Sequence, residues 1–139
     1  MKFLDASVFL HAYLRPTKKL PEDVEVLKRK ARTIVKRIED GEAAITSLIH
    51  VSEITNILEA RASLETTCDI ISGLLDLPNF KVIEPSKKLY ESAVEESRSY
   101  SIGINDALAW ILMKSEGISE IYSFDGDYDK IEDLKRVTD

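Results

Sequence analysis

The chain has 139 residues, 44% of them hydrophobic and 32% charged, with a formal net charge of −6. That is enough sequence for one domain with its own core, and residues 1–139 are expected to form a single domain. No stretch approaches the roughly 20 apolar residues of a membrane helix, and one cysteine (Cys68) with two histidines (His11, His50) leaves no disulfide framework and no cysteine zinc cluster.

In chain order, residues 2–5 read as a short buried strand and residues 6–14 as an apolar helix closed by Arg15-Pro16. This N-terminal apolar run carries Lys2 and Asp5 and lacks a small-residue cleavage pattern, so it is read as folded structure rather than a signal peptide. A cytoplasmic protein is expected. Pro21, Glu22 and Asp23 open a second helix, whose Val24, Leu27, Ala31, Ile34, Val35 and Ile38 follow helical spacing until Gly41 stops it. Residues 42–46 form a second strand, followed by a helix over 47–60 and another over 65–76 that ends before Leu77-Pro78. Residues 80–84 are a third strand. Pro85 and Ser86 start a helix to about residue 100, and a further helix spans 106–116, stopped by Gly117. Residues 120–124 are a fourth strand and 135–138 a candidate fifth. Strands alternating with helices predict a three-layer α/β/α sandwich around a central, mostly parallel sheet of four to five strands. Ligands of such sheets sit at the carboxyl ends of the strands, near a topological switch point.

Acids gather at those ends. Asp5 closes the first strand, where it is either the N-cap of the next helix or a site carboxylate. Asp125 follows the fourth strand, with Asp127 two residues on and Asp129 read as solvent-facing. Asp106 stands at the mouth of the helix "ALAWILM", which is apolar on every side and so buried. The helix dipole favours a carboxylate there, and Asn105 is a candidate N-cap. Glu53 borders the apolar stripe of its helix, flanked by Ser52 and Asn56 as candidate supports. Each acid alone has a plain structural reading. Together at one sheet edge they would repel and raise one another's pKa, and a divalent cation relieves that repulsion. An all-oxygen donor set suits Mg²⁺ or Mn²⁺.

The charge is unevenly distributed. From Arg15 to Arg37 nine Lys/Arg face three acids, about +6, which leaves about −12 for the rest. That segment is either a solvated helix face or a grip for a phosphate backbone. His11 and His50 are read as structural or surface residues, Trp110 as core, and Cys68 as a small apolar filler.

The stretches "FLDASVFL", "SEITNIL", "GINDALAWIL" and "IYSFDGDYDKI", in this order over the whole chain, resemble the PIN-domain ribonucleases, and most closely the VapC-type toxins of toxin–antitoxin pairs. The resemblance implies an α/β/α fold and a metal-dependent endoribonuclease acting on RNA. It also implies an antitoxin partner and a homodimer. Four acids that hold one or two Mg²⁺ or Mn²⁺ ions would fall on Asp5, Glu53, Asp106 and Asp125, with Asp127 as an auxiliary fifth. Ser123 keeps a hydroxyl where the family often has Thr, and Tyr128 stands where Phe is common. Ser7 and Ser123 would support the ligands by hydrogen bonding. Two alternatives share the fold: a non-catalytic RNA-binding or assembly module, and a housekeeping RNA-processing nuclease. An aspartyl-phosphate enzyme ranks below these, because "LDASV" lacks a second Asp two residues after the first.

Overall fold

The structure, a computed structural model, describes residues 1–139. Its elements are β1 (Lys2–Leu4), α1 (Ala6–Tyr13), α2 (Glu22–Glu39), β2 (Ala44–Ser47), α3 (Leu48–Arg61), α4 (Leu64–Leu75), β3 (Phe80–Ile83), α5 (Lys87–Tyr100), α6 (Ile104–Ser115), β4 (Glu120–Tyr122), a 3₁₀ turn (Gly126–Lys130) and β5 (Lys135–Val137). The strands lie in the order β3-β2-β1-β4-β5 and every pairing is parallel, so the expected mostly parallel sheet is wholly so.

Strand periodicity builds two cores. Phe3 pairs in register with both Ile45 and Ile121. These three side chains point to one face, where α5 and α6 cover them with Ala93, Leu108, Leu112 and Met113. Their neighbours Leu4, Ala44 and Tyr122 point to the other face, under α1 to α4. Side chains alternate along a strand, so a sheet covered on both faces needs apolar residues at consecutive positions. "FL", "AI" and "IY" supply them. On α2, Ala31, Ile34, Val35 and Ile38 are the buried stripe that the spacing predicts. No helix is long and apolar enough to cross a membrane.

The topology places the site. From β1 the chain moves outward through β2 and β3, then crosses back to place β4 on β1's other side. Right-handed crossovers in opposite directions put their helices on opposite faces. The carboxyl ends of β1 and β4 therefore border a crevice. The Asp5 amide donates to the Tyr122 carbonyl at 3.0 Å and carries the β1–β4 pairing to its lip.

Several local expectations change. The fourth strand ends at Tyr122: the Ser123 amide still reaches the Val137 carbonyl, but the Phe124 amide turns to Ser7 Oγ in the crevice. Helix α6 starts at Ile104 with Gly103 in the N-cap position, so Asn105 lies inside the helix and is not its cap. Ser101 turns the chain between α5 and α6 in the left-handed conformation, φ 54°. Cys68 is exposed and fills no core position. Lys28, read as part of a basic face, is buried, and its ammonium donates to the carbonyls of His11 and Leu14 at the end of α1.

Candidate active site

Asp5 is the anchor of the crevice. It occupies the N-cap position of α1 but its side chain makes no capping bond. Its Oδ2 instead accepts from Ser7 Oγ at 2.6 Å and Ser123 Oγ at 2.8 Å. Each serine oxygen also accepts a backbone amide, Phe124 N at 3.3 Å on Ser7 and Asp125 N at 3.0 Å on Ser123. A hydroxyl can donate and accept at once, so the two serines tie the Asp5 carboxylate to the backbone that carries Asp125. Asp5 is only 5% exposed, and a buried carboxylate requires such donors.

Asp106 comes from the first turn of α6. Gly103, one turn earlier, lies so close that an added Cβ would stand 3.2 Å from Asp106 Oδ2. The Tyr128 hydroxyl, fully buried, donates to Asp106 Oδ1 at 3.0 Å and lies 3.4 Å from Asp5 Oδ1. It links the two acids across the crevice. Burial, and then the negative charge of Asp5, push the Asp106 carboxyl up to about 6; Asp125 and Glu53 push the same way, and the Tyr128 hydrogen bond opposes them. Burial, and then the charges of Asp5, Asp106 and Asp125, hold the Tyr128 phenol well above its ordinary value, so it stays a donor.

Asp125 caps the 3₁₀ turn, its Oδ1 accepting from the Asp127 amide at 2.9 Å. That cap brings Asp127 back over the crevice. Asp106, Asp125 and Asp127 each place a carboxylate oxygen within 4.8 Å of the other two. Asp5 and Glu53 stand outside this trio. Asp5 is joined to it through Tyr128, and Glu53 through the adjacent Asn105, whose Nδ2 donates to Glu53 Oε1. The Tyr90 hydroxyl donates to Asn105 Oδ1 at 2.6 Å and fixes the amide's orientation. Ser52 and Asn56, expected to support Glu53, are exposed and make no bond to it. Asp129 sits outside the crevice, in a two-bond pair with Arg136.

The cations nearby are few. Lys130 lies 3.3 Å from Asp127, both well exposed, a pairing of small worth. His50 is fully buried, its Nδ1 bonded to Ser47 Oγ at 2.6 Å and its ring edge-on to Phe3. Burial lowers its pKa and keeps it neutral, as a packing residue. The acids thus crowd together without matching positive charge, their donors are oxygen only, and one of them is driven toward protonation. This donor set fits a hard divalent cation.

The relay of Asn105 and Tyr90 and the hydroxyl of Tyr128 were not assigned to the site by sequence reasoning. Asn105 adjoins Asp106 in the chain, but nothing local marks Tyr90 or the direction of either side chain.

Comparison with known proteins places the fold. Among solved structures, a sarcin-ricin-loop-cleaving toxin of Mycobacterium tuberculosis, VapC20, superposes with TM-score 0.72 at 20% identity, covering 93% of each chain. A toxin–antitoxin complex from Klebsiella pneumoniae gives 0.67 at 16% identity over 99% of this chain and 97% of that one. VapBC2 from Rickettsia felis, bound to a DNA fragment from its promoter, gives 0.63 at 16% identity over 98% and 96%. At these identities the likeness establishes the fold. No curated protein sequence matches the chain. A family model described as the PIN domain matches residues 2–134, and the chain belongs to the PIN-domain family.

Proposed function

We propose that the protein is a metal-dependent endoribonuclease and the toxin of a toxin–antitoxin pair. The observation that carries the reading is the crowding of Asp5, Asp106, Asp125 and Asp127 at the β1–β4 crevice, with Asp106 raised to about 6. Such an arrangement costs stability and is compensated when a cation binds. The neighbouring structures include a toxin–antitoxin complex and a sarcin-ricin-loop-cleaving toxin, which supports RNA as substrate and an antitoxin as partner; a homodimer in the cytoplasm is part of the same proposal.

Asp5, Asp106 and Asp125 would hold one or two Mg²⁺ or Mn²⁺ ions, with Asp127 as the auxiliary ligand and Glu53 at the edge. Bound there, a divalent cation supplies Lewis acidity and positive charge to a phosphodiester. The protein's own groups do the rest. Ser7 and Ser123 lock the Asp5 carboxylate so that Oδ1 faces the crevice with Tyr128. Asn105 occupies one oxygen of Glu53 and leaves the other to orient the attacking water and take its proton. The water oxygen forms the new bond to phosphorus, the P–O bond to the ribose breaks, and the departing oxygen is protonated from solvent.

The test is cleavage of defined RNAs with and without Mn²⁺ or Mg²⁺, comparing wild type with Asp5→Asn. Metal-dependent cleavage lost in Asp5→Asn, with the melting curve preserved, is expected. Cleavage unchanged in that variant overturns the assignment. Expression of the wild type, but not of Asp5→Asn, should arrest growth if the enzyme is a toxin.

A further inference from the structure

A cleft of about 380 Å³ opens beside the acids and carries the opposite charge. Ser7, whose hydroxyl holds Asp5, lines its inner end. From there the wall follows α1 through Leu10, His11 and Leu14 to Arg15, and Arg61 at the end of α3 also lines it. Pro16 and Leu20 add to the apolar wall. No acid lines this cleft, in a chain with net charge −6.

Three cations line it. Arg15 and Arg61 are exposed and belong to no ion pair. Lys28 is 8% exposed, bonded only to the His11 and Leu14 carbonyls, with no carboxylate partner. With two of its three N–H groups on carbonyls, the ammonium keeps one donor and its full charge for an anion in the cleft. Lys36 pairs with Asp40 and Arg37 with Glu42, while Arg29 and Arg32 are exposed on α2 and line no part of the cleft. Lys18, Lys19 and Lys30 do not line the cleft either.

We infer that the cleft from Ser7 to Arg15 and Arg61 is a subsite for the single-stranded RNA segment adjoining the bond to be cleaved. Its phosphate is held by Arg15, Arg61 and Lys28, and its base lies on Leu10, Leu14 and Pro16. The inference rests on the nuclease reading for the position of the cleaved bond. Continuity favours RNA over an acidic protein segment. A strand of phosphates can pass from a cation held by carboxylates to a cation-lined cleft, since both ends bind phosphate. An acidic peptide would match the cations but brings no flat base to cover the apolar wall of Leu10, Leu14 and Pro16.

The experiment is anisotropy of a short fluorescent single-stranded RNA on the full chain, with Mg²⁺ and an Asp125→Asn background that suppresses cleavage. Binding is followed against salt for that background, for Arg15→Gln/Arg61→Gln in it, and for Arg29→Gln/Arg32→Gln, which removes the same charge from α2. The first pair should weaken binding about tenfold or more and flatten the salt slope by about 0.7, the value for one phosphate contact on a single strand. The α2 pair should do much less, and Arg15→Lys/Arg61→Lys should restore the slope. Equal effects of the two glutamine pairs would overturn the inference, as would an RNA that does not bind. So would RNA affinity left intact while binding of a poly-glutamate peptide is lost, which would assign the cleft to an acidic protein. If the wild type binds RNA through Arg15 and Arg61 but never cleaves it, the nuclease reading fails alone and the subsite stands.

Discussion

Asp106→Asn should stabilise the metal-free protein, although it removes a residue proposed to hold the metal. In the folded chain the Asp106 carboxyl is raised from 3.8 to about 6, first by burial and then by Asp5. At about 1.36 kcal/mol for each tenfold change in proton binding, that corresponds to about 3 kcal/mol. Asp106 is only part-buried, so solvent screening brings the figure to about 1–2 kcal/mol. The sign follows from proton linkage. Between about pH 4 and 6 the folded state binds more protons at Asp106 than the unfolded state, so stability falls as pH rises through that window. Below it the carboxyl is neutral in both states and the penalty vanishes. Asparagine cannot ionise, and its amide oxygen can still accept from Tyr128. Thermal melts in EDTA at pH 5 and pH 8 test this. At pH 8 the variant should melt about 3–8 °C above wild type, and at pH 5 the gap should narrow. Added Mn²⁺ should raise the wild-type midpoint far more than the variant's. A variant less stable than wild type at pH 8 in EDTA would refute the idea that the crevice stores carboxylate repulsion.

Other substitutions separate the parts of the site. Tyr128→Phe removes the hydroxyl shared by Asp106 and Asp5; because that bond lowers the Asp106 pKa, the acid limb of the pH–cleavage profile should move to higher pH. An unshifted limb would mean that Tyr128 does not tune Asp106. Asn105→Ala frees Glu53 and strands the Tyr90 hydroxyl, so cleavage should fall about tenfold or more with a loss of about 1–2 kcal/mol in stability; denaturant unfolding beside cleavage assays checks both, and full activity would exclude the relay. Lys28→Met leaves the His11 and Leu14 carbonyls without their donor and should cost about 1–3 kcal/mol, read by urea unfolding at constant m.

What the sequence made legible follows from short-range rules. Short buried apolar runs between helices marked the strands of a parallel sheet, and the acids that follow two of them, Asp5 and Asp125, fell where such a sheet opens at its switch point. The stripe Ala31, Ile34, Val35 and Ile38 needed only helical spacing. Long-range partners were not legible. Glu53 bonds Asn105, 52 positions away, rather than its neighbours Ser52 and Asn56. That choice depends on how α3 and α6 meet across the edge of the sheet, which no local period encodes. Lys28 looked like one cation among nine, yet its place on the inner side of α2 turns it toward the open carbonyls at the end of α1. Cys68 shows the converse: an apolar-seeming residue in a helix whose own face is solvent. Tyr128 stood out against the phenylalanine common in similar proteins, but only the fold reveals that its hydroxyl lies between two acids.

If the carboxylates at the β1–β4 crevice act on RNA through a divalent cation, the chemistry must follow the metal and the acids together. The most direct measurement is cleavage of one defined RNA at pH 8 by metal-stripped protein while Mn²⁺ is titrated in, with wild type and Asp106→Asn side by side. Expected are no cleavage in EDTA, saturable recovery of wild-type activity with Mn²⁺, and little recovery in the variant despite its higher melting temperature. Cleavage that proceeds equally in EDTA, or equally in the variant, would contradict metal-dependent cleavage by these acids.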